Sequence, residues 1–294
     1  MTKSKPFRDS TVLVLGAGAS KPYGFPLGPE LKQHIVSSDP ELVSKALRER
    51  GASVDAIQAF KDALRYGNHP TIDIFLERKK NFREMGAMYI AEAISGFESH
   101  GALFPERDWY AELYQLLDLN KLERDLPKLS VVTLNYDRSL EHFLTKNVDY
   151  NCPHDLVDAA HKRLRDFRII HAHGSLGDYP NAGYGSSRGN AGSLYTSAER
   201  IRIVSDRLDQ SPEFMSAQNM LAEAECIVFL GFGYNTTTLN SLLGKVNRAK
   251  TQFYGTAIGL DEHQKAAVRS HLNDGVLFGA GNEDCKAFLN LIRK

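Results

Sequence analysis

The first strand of the chain and the glycine-rich turn after it constrain the fold most strongly. Thr11–Leu15 reads TVLVL, a continuous apolar run of the kind that parallel sheets bury on both faces. Gly16-Ala17-Gly18-Ala19-Ser20 follows directly, and the prolines and glycines of 21–29 predict irregular structure up to a helix that begins near Pro29. In α/β proteins such a turn brings backbone N–H groups close to a phosphate.

Strand and helix patterns alternate through the second half of the chain. Apolar runs lie at 130–134, 167–173, 226–232, 252–259 and 275–279, with helical spacing between them. The alternation predicts the α/β class, with a Rossmann-like doubly wound parallel sheet. The segment 174–195 is rich in Gly, Ser, Asn and Tyr, which predicts a long loop.

Residues 38–128 have a different pattern. They show helical spacing throughout and no run that resembles a buried parallel strand. We therefore expect a helical insertion at 38–128 within a single domain that spans 1–294.

Composition narrows the class of protein. Lys+Arg and Asp+Glu balance at 36 each, so global charge favours neither nucleic acid nor an anionic membrane and is compatible with a homo-oligomer. The three cysteines are far apart with no C-x-x-C pair, which argues against a thiolate zinc site. No apolar run approaches the roughly 20 residues that span a bilayer. We expect a cytoplasmic protein without a membrane partner.

The glycine turn departs from the usual dinucleotide fingerprint. In G-x-G-x-x-G a third glycine follows Gly18 by three residues, but here Lys21 stands there and Pro22 follows. This departure argues against an ordinary dehydrogenase, and a phosphate loop of the G-x-x-x-x-G-K-[ST] type is absent from the sequence. A tight turn without a ligand is the alternative interpretation.

Asn135 and Asp137 follow the second predicted strand, in the segment Thr133-Leu134-Asn135-Tyr136-Asp137. Open α/β sheets bind ligands at the carboxyl ends of their strands. The Asn135 amide offers a donor and an acceptor, and Asp137 offers an anionic acceptor. Alternatively, one of the two only caps the next helix.

His171-Ala172-His173-Gly174 ends the third predicted strand. A histidine beside a glycine at a strand end is a candidate base near neutral pH. Two alternatives remain open: both are ordinary strand-end histidines, or H-x-H chelates a metal, since alternate residues of a strand share a face. Further ligands for a metal are not evident.

A second glycine turn, Gly231-Phe232-Gly233-Tyr234-Asn235, follows the strand run CIVFL. It could hold a ribose or a phosphate of a nucleotide. A plain turn is the alternative.

Taken together in this order, G-A-G-x-S, T-x-N-x-D, H-G and G-F-G resemble the sirtuin family. The resemblance implies an NAD site that cleaves nicotinamide from the ribose. It implies that Asn135 and Asp137 match the family's Q-N-x-D segment and that His173 matches its H-G pair, which makes these three the candidate catalytic residues. The candidate NAD-binding residues are Gly16, Ala17, Gly18, Ser20, Phe25, Pro26, Gly231, Gly233 and Asn235.

Several positions depart from sirtuins that deacylate proteins. Their G-I-P-D-F-R segment is matched by Gly24–Pro29, which keeps Pro26 but has Leu27, Gly28 and Pro29 in place of D-F-R. Leu134 replaces the glutamine, and the four-cysteine zinc ribbon is absent from the sequence. The chain thus resembles the ribbon-less sirtuin-like effectors of bacterial antiphage defence, which hydrolyse NAD and are often paired with a sensor such as a hexameric DNA-translocating ATPase.

The resemblance implies an NAD glycohydrolase that takes NAD as its substrate and needs no zinc. Asn135 would orient water and the ribose hydroxyls, His173 would accept a proton, and Asp137 would hold the nicotinamide amide or stabilise positive charge. One alternative is an NAD-dependent protein deacylase or ADP-ribosyl transferase. Another is a regulatory subunit that binds NAD or ADP-ribose without turnover.

Overall fold

The structure is a computed structural model that describes residues 4–105, 108–203, 211–272 and 275–293. Its described residues form a parallel sheet of six strands in the order β3-β2-β1-β4-β5-β6. This order confirms the predicted Rossmann-like doubly wound fold. The strands are β1 (Thr11–Leu15), β2 (Leu129–Thr133), β3 (Ile169–His171), β4 (Cys226–Leu230), β5 (Gln252–Gly255) and β6 (Val276–Phe278).

Helices surround the sheet and connect its strands. In the described part of the chain, seven helices lie between β1 and β2: α1 (Ala17–Ser20), α2 (Gly28–Ser37), α3 (Glu41–Glu49), α4 (Val54–Tyr66), α5 (Ile72–Arg78), α6 (Arg83–Phe97) and α7 (Trp109–Leu117). The others follow β2: α8 (Ser139–Asn151), α9 (Val157–Asp166), α10 (Ala191–Arg200), α11 (Pro212–Ala222), α12 (Thr236–Leu242), α13 (Glu262–His271) and α14 (Cys285–Ile292). No helix within the four described ranges is both long and apolar enough to cross a membrane.

The central strand β1 separates two hydrophobic cores. Leu13 and Leu15 face the core that contains the helices between β1 and β2, whereas Val12 and Val14 face the core with α11, α12 and α13. All five residues of β1 are buried. This burial on both faces is what its continuous apolar run predicts.

The order in which successive strands join the sheet changes direction at β1, so β1 and β4 are neighbours although 215 positions separate Leu15 from its register partner Leu230 in the chain. Leu15 pairs with Leu230 on one side and with Thr133 on the other. The turns that follow these three strands therefore meet at one edge of the sheet. Open α/β sheets bind ligands at such a switch point.

Two local predictions are wrong. The predicted loop 174–195 ends early, because α10 begins at Ala191 behind a capping box in which Asn190 and Ser193 satisfy each other's backbone N–H groups. The predicted irregular segment after Ser20 begins with a 3-10 turn, Lys21–Tyr23, that continues α1. Pro22 fits there, since a first helical turn needs no N–H donor from it.

Candidate active site

A cavity of about 570 Å³ opens at the carboxyl ends of β1, β2 and β4, a size typical of small-molecule sites. Most of the predicted site residues line it, although they come from separate turns of the sheet. The predicted residues in its wall are Gly16, Ala17, Ser20, Phe25, Pro26, Asn135, Asp137, His173, Gly233 and Asn235. The fold thus gathers residues from four turns around one space.

Gly18 and Gly231 are the predicted binding residues that the cavity wall does not include. A Cβ on Gly231 would lie 2.0 Å from the Ala19 backbone nitrogen, and a Cβ on Gly18 would lie 2.8 Å from the Gly231 Cα. The Gly18 N–H also donates to the Gly231 carbonyl at 2.9 Å. These two glycines are therefore needed because the first and fourth turns pack backbone against backbone.

The Asn135 side chain is fixed by hydrogen bonds to the first glycine turn. Its Nδ2 donates to the Gly16 carbonyl at 3.1 Å and to Ser20 Oγ at 2.9 Å. Both donor hydrogens are therefore used within the protein, and among the described residues no group bonds to Oδ1. Because Asn135 lines the cavity, its Oδ1 is the atom that the amide offers to a ligand.

Asp137 lies behind Asn135 and is 6% exposed. Its Oδ2 accepts a hydrogen bond from Ser20 Oγ at 3.0 Å, and its Oδ1 accepts bonds from the backbone N–H and the hydroxyl of Ser139. Burial raises the pKa of Asp137, and the bonds from Ser139 and Ser20 oppose the rise. Asp137 thus holds Ser20, which in turn holds Asn135, and it also accepts the N–H of Ser139, the first residue of α8.

His173 is 7% exposed and lines the same cavity. Burial lowers its pKa below the usual histidine value of 6.5, and the negative charge of Asp73 opposes that shift. The imidazole is therefore neutral at pH 7, which is the form that accepts a proton. Gly174 adopts φ +73° directly after it, and there a Cβ would strike the Arg200 carbonyl at 1.9 Å. The glycine of the H-G pair is thus required by the backbone.

His171 and His173 have different surroundings, since His173 lines the cavity of Asn135 and His171 does not. Strand β3 ends at His171 and the chain turns, with Gly174 N–H donating to the His171 carbonyl at 3.0 Å. The His171 ring bonds instead to Glu141 at 2.6 Å and to the Asn135 carbonyl at 2.9 Å. In the part of the chain that the structure describes, no three His, Cys, Asp or Glu residues form a group suited to a metal ion.

Both ring nitrogens of His171 face acceptors, which favours the imidazolium form. Burial would lower the pKa of His171, but the charge and hydrogen bond of Glu141 raise it above the usual value. Burial would raise the pKa of Glu141, but His171 lowers it. The two groups form an ion pair that fixes the Asn135 backbone through its carbonyl.

Asn235 ends the fourth turn and has two roles. Its side chain caps α12 by accepting a hydrogen bond from the Thr238 N–H at 3.2 Å, as asparagine often does at a helix start. It also lies in the cavity wall beside Gly233. Asn235 can therefore fix the turn that follows β4 and also contact a ligand in the cavity.

One wall of the cavity comes from α5, which the sequence analysis did not single out. Its contribution is Asp73, Ile74, Glu77 and Arg78, preceded by Thr71. Asp73 Oδ1 accepts a hydrogen bond from the Tyr136 hydroxyl at 2.7 Å, which joins α5 to the turn that carries Asn135. The sequence does carry a signal for this wall: Asp73 and Glu77 are four residues apart, so they share one polar face of α5 next to the buried face.

Residues 129–270 match the SIR2-like domain. The match covers somewhat less than half of the 294 residues and includes Asn135, Asp137, His173 and the Gly231 turn. It supports the sirtuin-like resemblance, and SIR2-like domains bind NAD and belong to NAD-utilising enzymes. No curated protein matches the chain.

The types of residue around the cavity suit NAD as a ligand. Gly233 leaves the wall open, since nothing lies within 4 Å of a Cβ built there, whereas a Cβ on Gly16 would lie 2.6 Å from the Gly231 carbonyl oxygen. Apolar side chains such as Phe25, Pro26 and Leu31 offer surface to a flat ring, and Asn135 Oδ1 offers an acceptor to a ribose hydroxyl.

Proposed function

We propose that this protein is an NAD glycohydrolase that cleaves NAD to nicotinamide and ADP-ribose. The observation that carries the proposal is that Asn135 and His173, from two different strand ends, line one cavity of about 570 Å³ together with the first glycine turn. An amide acceptor and a neutral imidazole are the groups that this hydrolysis needs beside the ribose.

The chemistry follows from the leaving group. Nicotinamide in NAD is a cation, so the bond from ribose C1′ to the ring nitrogen breaks with its electron pair moving to that nitrogen. No acid has to protonate the leaving group, unlike ordinary glycoside hydrolysis with its two carboxyl groups. The ribose becomes oxocarbenium-like, and a water oxygen bonds to C1′.

The residues have distinct roles in this step. Asn135 Oδ1 accepts a hydrogen bond from a ribose hydroxyl or from the attacking water. His173 accepts the proton that the water loses and returns it to solvent, so the products are nicotinamide, ADP-ribose and one proton. Asp137 is a positioning residue here, since its carboxylate bonds to Ser20 and Ser139.

The biological role belongs to the same proposal. The resemblance to antiphage effectors without a zinc ribbon supports NAD depletion as a cytoplasmic defence response. It also supports a sensor partner such as a hexameric DNA-translocating ATPase, and the balanced net charge is compatible with a homo-oligomer. The test is phage challenge of bacteria that express the chain with its genomic neighbours, against the same cells carrying His173→Ala.

The activity itself is tested by incubating the purified protein with NAD, alone and with any partner, and separating the products by chromatography. A glycohydrolase releases nicotinamide and ADP-ribose in equal amounts without any acylated peptide. Release only after acylated peptide is added would indicate a deacylase, and transfer of ADP-ribose to protein would indicate a transferase. Binding of NAD with no loss would indicate a regulatory subunit and overturn the proposal.

A further inference from the structure

The α5 wall contributes a carboxylate to the same cavity as the histidine that the proposed reaction uses as its base. Asp73 lies in the first turn of α5, within the segment 38–128 that precedes the matched domain. Asp73 and His173 line the same cavity although 100 positions separate them in the chain. Helix α5 thus adds charge to a site whose other parts lie on the strand ends.

The Asp73 carboxylate is held in place by Tyr136. The Tyr136 hydroxyl donates to Asp73 Oδ1 at 2.7 Å, and burial together with the Asp73 charge raises the pKa of Tyr136 well above its usual value. The phenol therefore keeps its proton and the carboxylate stays the acceptor. Among the described residues no hydrogen bond occupies Asp73 Oδ2, so the second oxygen remains open to the cavity.

A buried histidine needs such a charge in order to act as a base. His173 is almost fully buried, and burial disfavours the imidazolium that forms when the ring accepts a proton. An opposite charge close by favours that imidazolium. The negative charge of Asp73, in the wall of the same cavity, favours the imidazolium of His173 in this way.

Other titratable groups also surround the cavity. The described wall also contains Glu77 and Arg78 on α5, Tyr136 and Asp137 after β2, and Tyr234 after β4. Glu77 and Arg78 are adjacent and opposite in charge. Asp137 already accepts bonds from Ser20 and Ser139, and burial keeps the two phenols protonated by raising their pKa values. Arg202 reaches His173 through its backbone N–H, which donates to the His173 carbonyl at 2.8 Å.

We propose that Asp73, fixed by Tyr136, is a positioning residue that stabilises the protonated form of His173 during NAD cleavage. The inference rests on the proposed function for its role in turnover. Its electrostatic part concerns only the two side chains, so it can be measured without substrate.

The primary test is an NMR titration of histidine-labelled protein, with the His173 signal assigned by its loss in His173→Gln. The Asp73→Asn substitution keeps the size of the side chain and removes its charge. We expect the pKa of His173 to fall in this variant, because the opposite charge that favours the imidazolium is removed. Asp73→Glu should restore most of the wild-type value. An unchanged pKa in Asp73→Asn would overturn the proposal.

A matched control is Asp62→Asn on α4, which makes the same change in the same helical segment outside the cavity wall. It should leave the pKa of His173 at the wild-type value. Tyr136→Phe removes the hydrogen bond while leaving the charge, so it should lower the pKa by less than Asp73→Asn does. If Asp73→Asn fails to fold, Tyr136→Phe and Asp73→Glu still test the proposal. A His173 pKa that is unchanged in Tyr136→Phe and lowered in Asp73→Glu would contradict it.

Turnover supplies the second measurement. Asp73→Asn should lower kcat for NAD about 10- to 100-fold with little change in KM, and move the acidic limb of the rate profile to lower pH. An equal kcat in Asp73→Asn and wild type would overturn the role of Asp73. A wild-type protein that cleaves no NAD would instead contradict the proposed function, while the NMR titration would still test the electrostatic pair.

Discussion

The Ser20 hydroxyl lies 2.9 Å from Asn135 Nδ2, although 115 positions separate the two residues in the chain. Ser20 accepts this bond while donating its own hydrogen to Asp137 Oδ2 at 3.0 Å. The first turn of the sheet therefore fixes the amide that follows the second strand. The serine of the G-A-G-x-S motif thus orients the Asn135 amide.

Ser20→Ala should therefore impair catalysis through Asn135. The change leaves one donor of Asn135 and one acceptor of Asp137 unpaired in a buried site, which costs about 1–3 kcal/mol of unfolding free energy. We expect kcat for NAD to fall about 10-fold because the amide is no longer fixed. Chromatographic rate measurements and thermal unfolding would check both effects.

Ser187→Ala is the matched control for this change. Ser187 and Ser20 are each 2% exposed, and Ser187 Oγ bonds to Ser197 Oγ at 2.7 Å away from the cavity. Its loss should cost stability and leave NAD cleavage unchanged. Equal loss of activity in both variants would show that Ser20 acts only through stability.

The amide and the imidazole should both be essential. Asn135→Ala removes the acceptor Oδ1 and His173→Ala removes the base, so we expect each to reduce NAD cleavage at least about 100-fold, the lower range for a general base. Circular dichroism should show an intact fold. His154→Ala, an exposed histidine outside the cavity, should behave as wild type. Full activity in both site variants would reject their assigned roles.

The burial of His173 predicts how activity depends on pH. Because burial lowers its pKa below 6.5, the neutral form persists to more acidic pH than for an ordinary histidine. kcat/KM should therefore stay near its maximum as pH falls through 6.5 and decline only at lower pH. A profile measured from about pH 4.5 to 8 would check this, and a half-maximal point above 6.5 would contradict it.

The sequence predicted the sheet because its strands are buried on both faces. A continuous apolar run such as Val12–Leu15 has few other stable environments in a protein of this size. The convergence of Asn135 and His173 followed from the same logic, since carboxyl ends of neighbouring parallel strands lie at one edge. Functional residues at strand ends can thus be predicted from the sequence when the strands themselves can be recognised.

The α5 wall could not be predicted in the same way. Which face of a helix covers a cavity depends on long-range packing, and the spacing of Asp73 and Glu77 marks only a polar face. The separation of His171 from His173 also escaped prediction. Alternate residues share a face only inside a strand. Strand β3 ends at His171, so this rule does not determine the direction of His173.

The ion pair of His171 and Glu141 predicts a stability that depends on pH. The pKa of His171 is raised, so its contribution is complete below 6.5 and is lost as pH rises through the folded value. The pKa of Glu141 is lowered, so its contribution is complete above 4.5 and is lost as pH falls through the folded value. The pair should stabilise most between about pH 4.5 and 6.5.

His171→Asn should reveal this window. It should lower the unfolding free energy by roughly 1.5–3 kcal/mol near pH 5.5, the range for a hydrogen bond to a charged group, and by less near pH 9. Urea unfolding of both proteins across pH would measure the difference. A deficit that grows steadily with pH would mean that His171 is neutral in the fold.

The contact between the first and fourth turns gives a prediction about two neighbouring glycines. Gly231 adopts φ +57°, and a Cβ there would overlap the Ala19 nitrogen at 2.0 Å. Gly231→Ala combines backbone strain of about 1–3 kcal/mol with this clash, so it should lower the unfolding free energy by more than 3 kcal/mol and separate the two turns.

Gly233 provides the matched control. It lies two residues later, has no positive φ, and a Cβ built there meets no atom within 4 Å, so the stability of Gly233→Ala should stay within about 1 kcal/mol of wild type. Denaturant unfolding of the two variants would check the contrast. Similar stabilities would mean that the two turns do not depend on their close backbone contact, and the packing role of Gly231 would then be wrong.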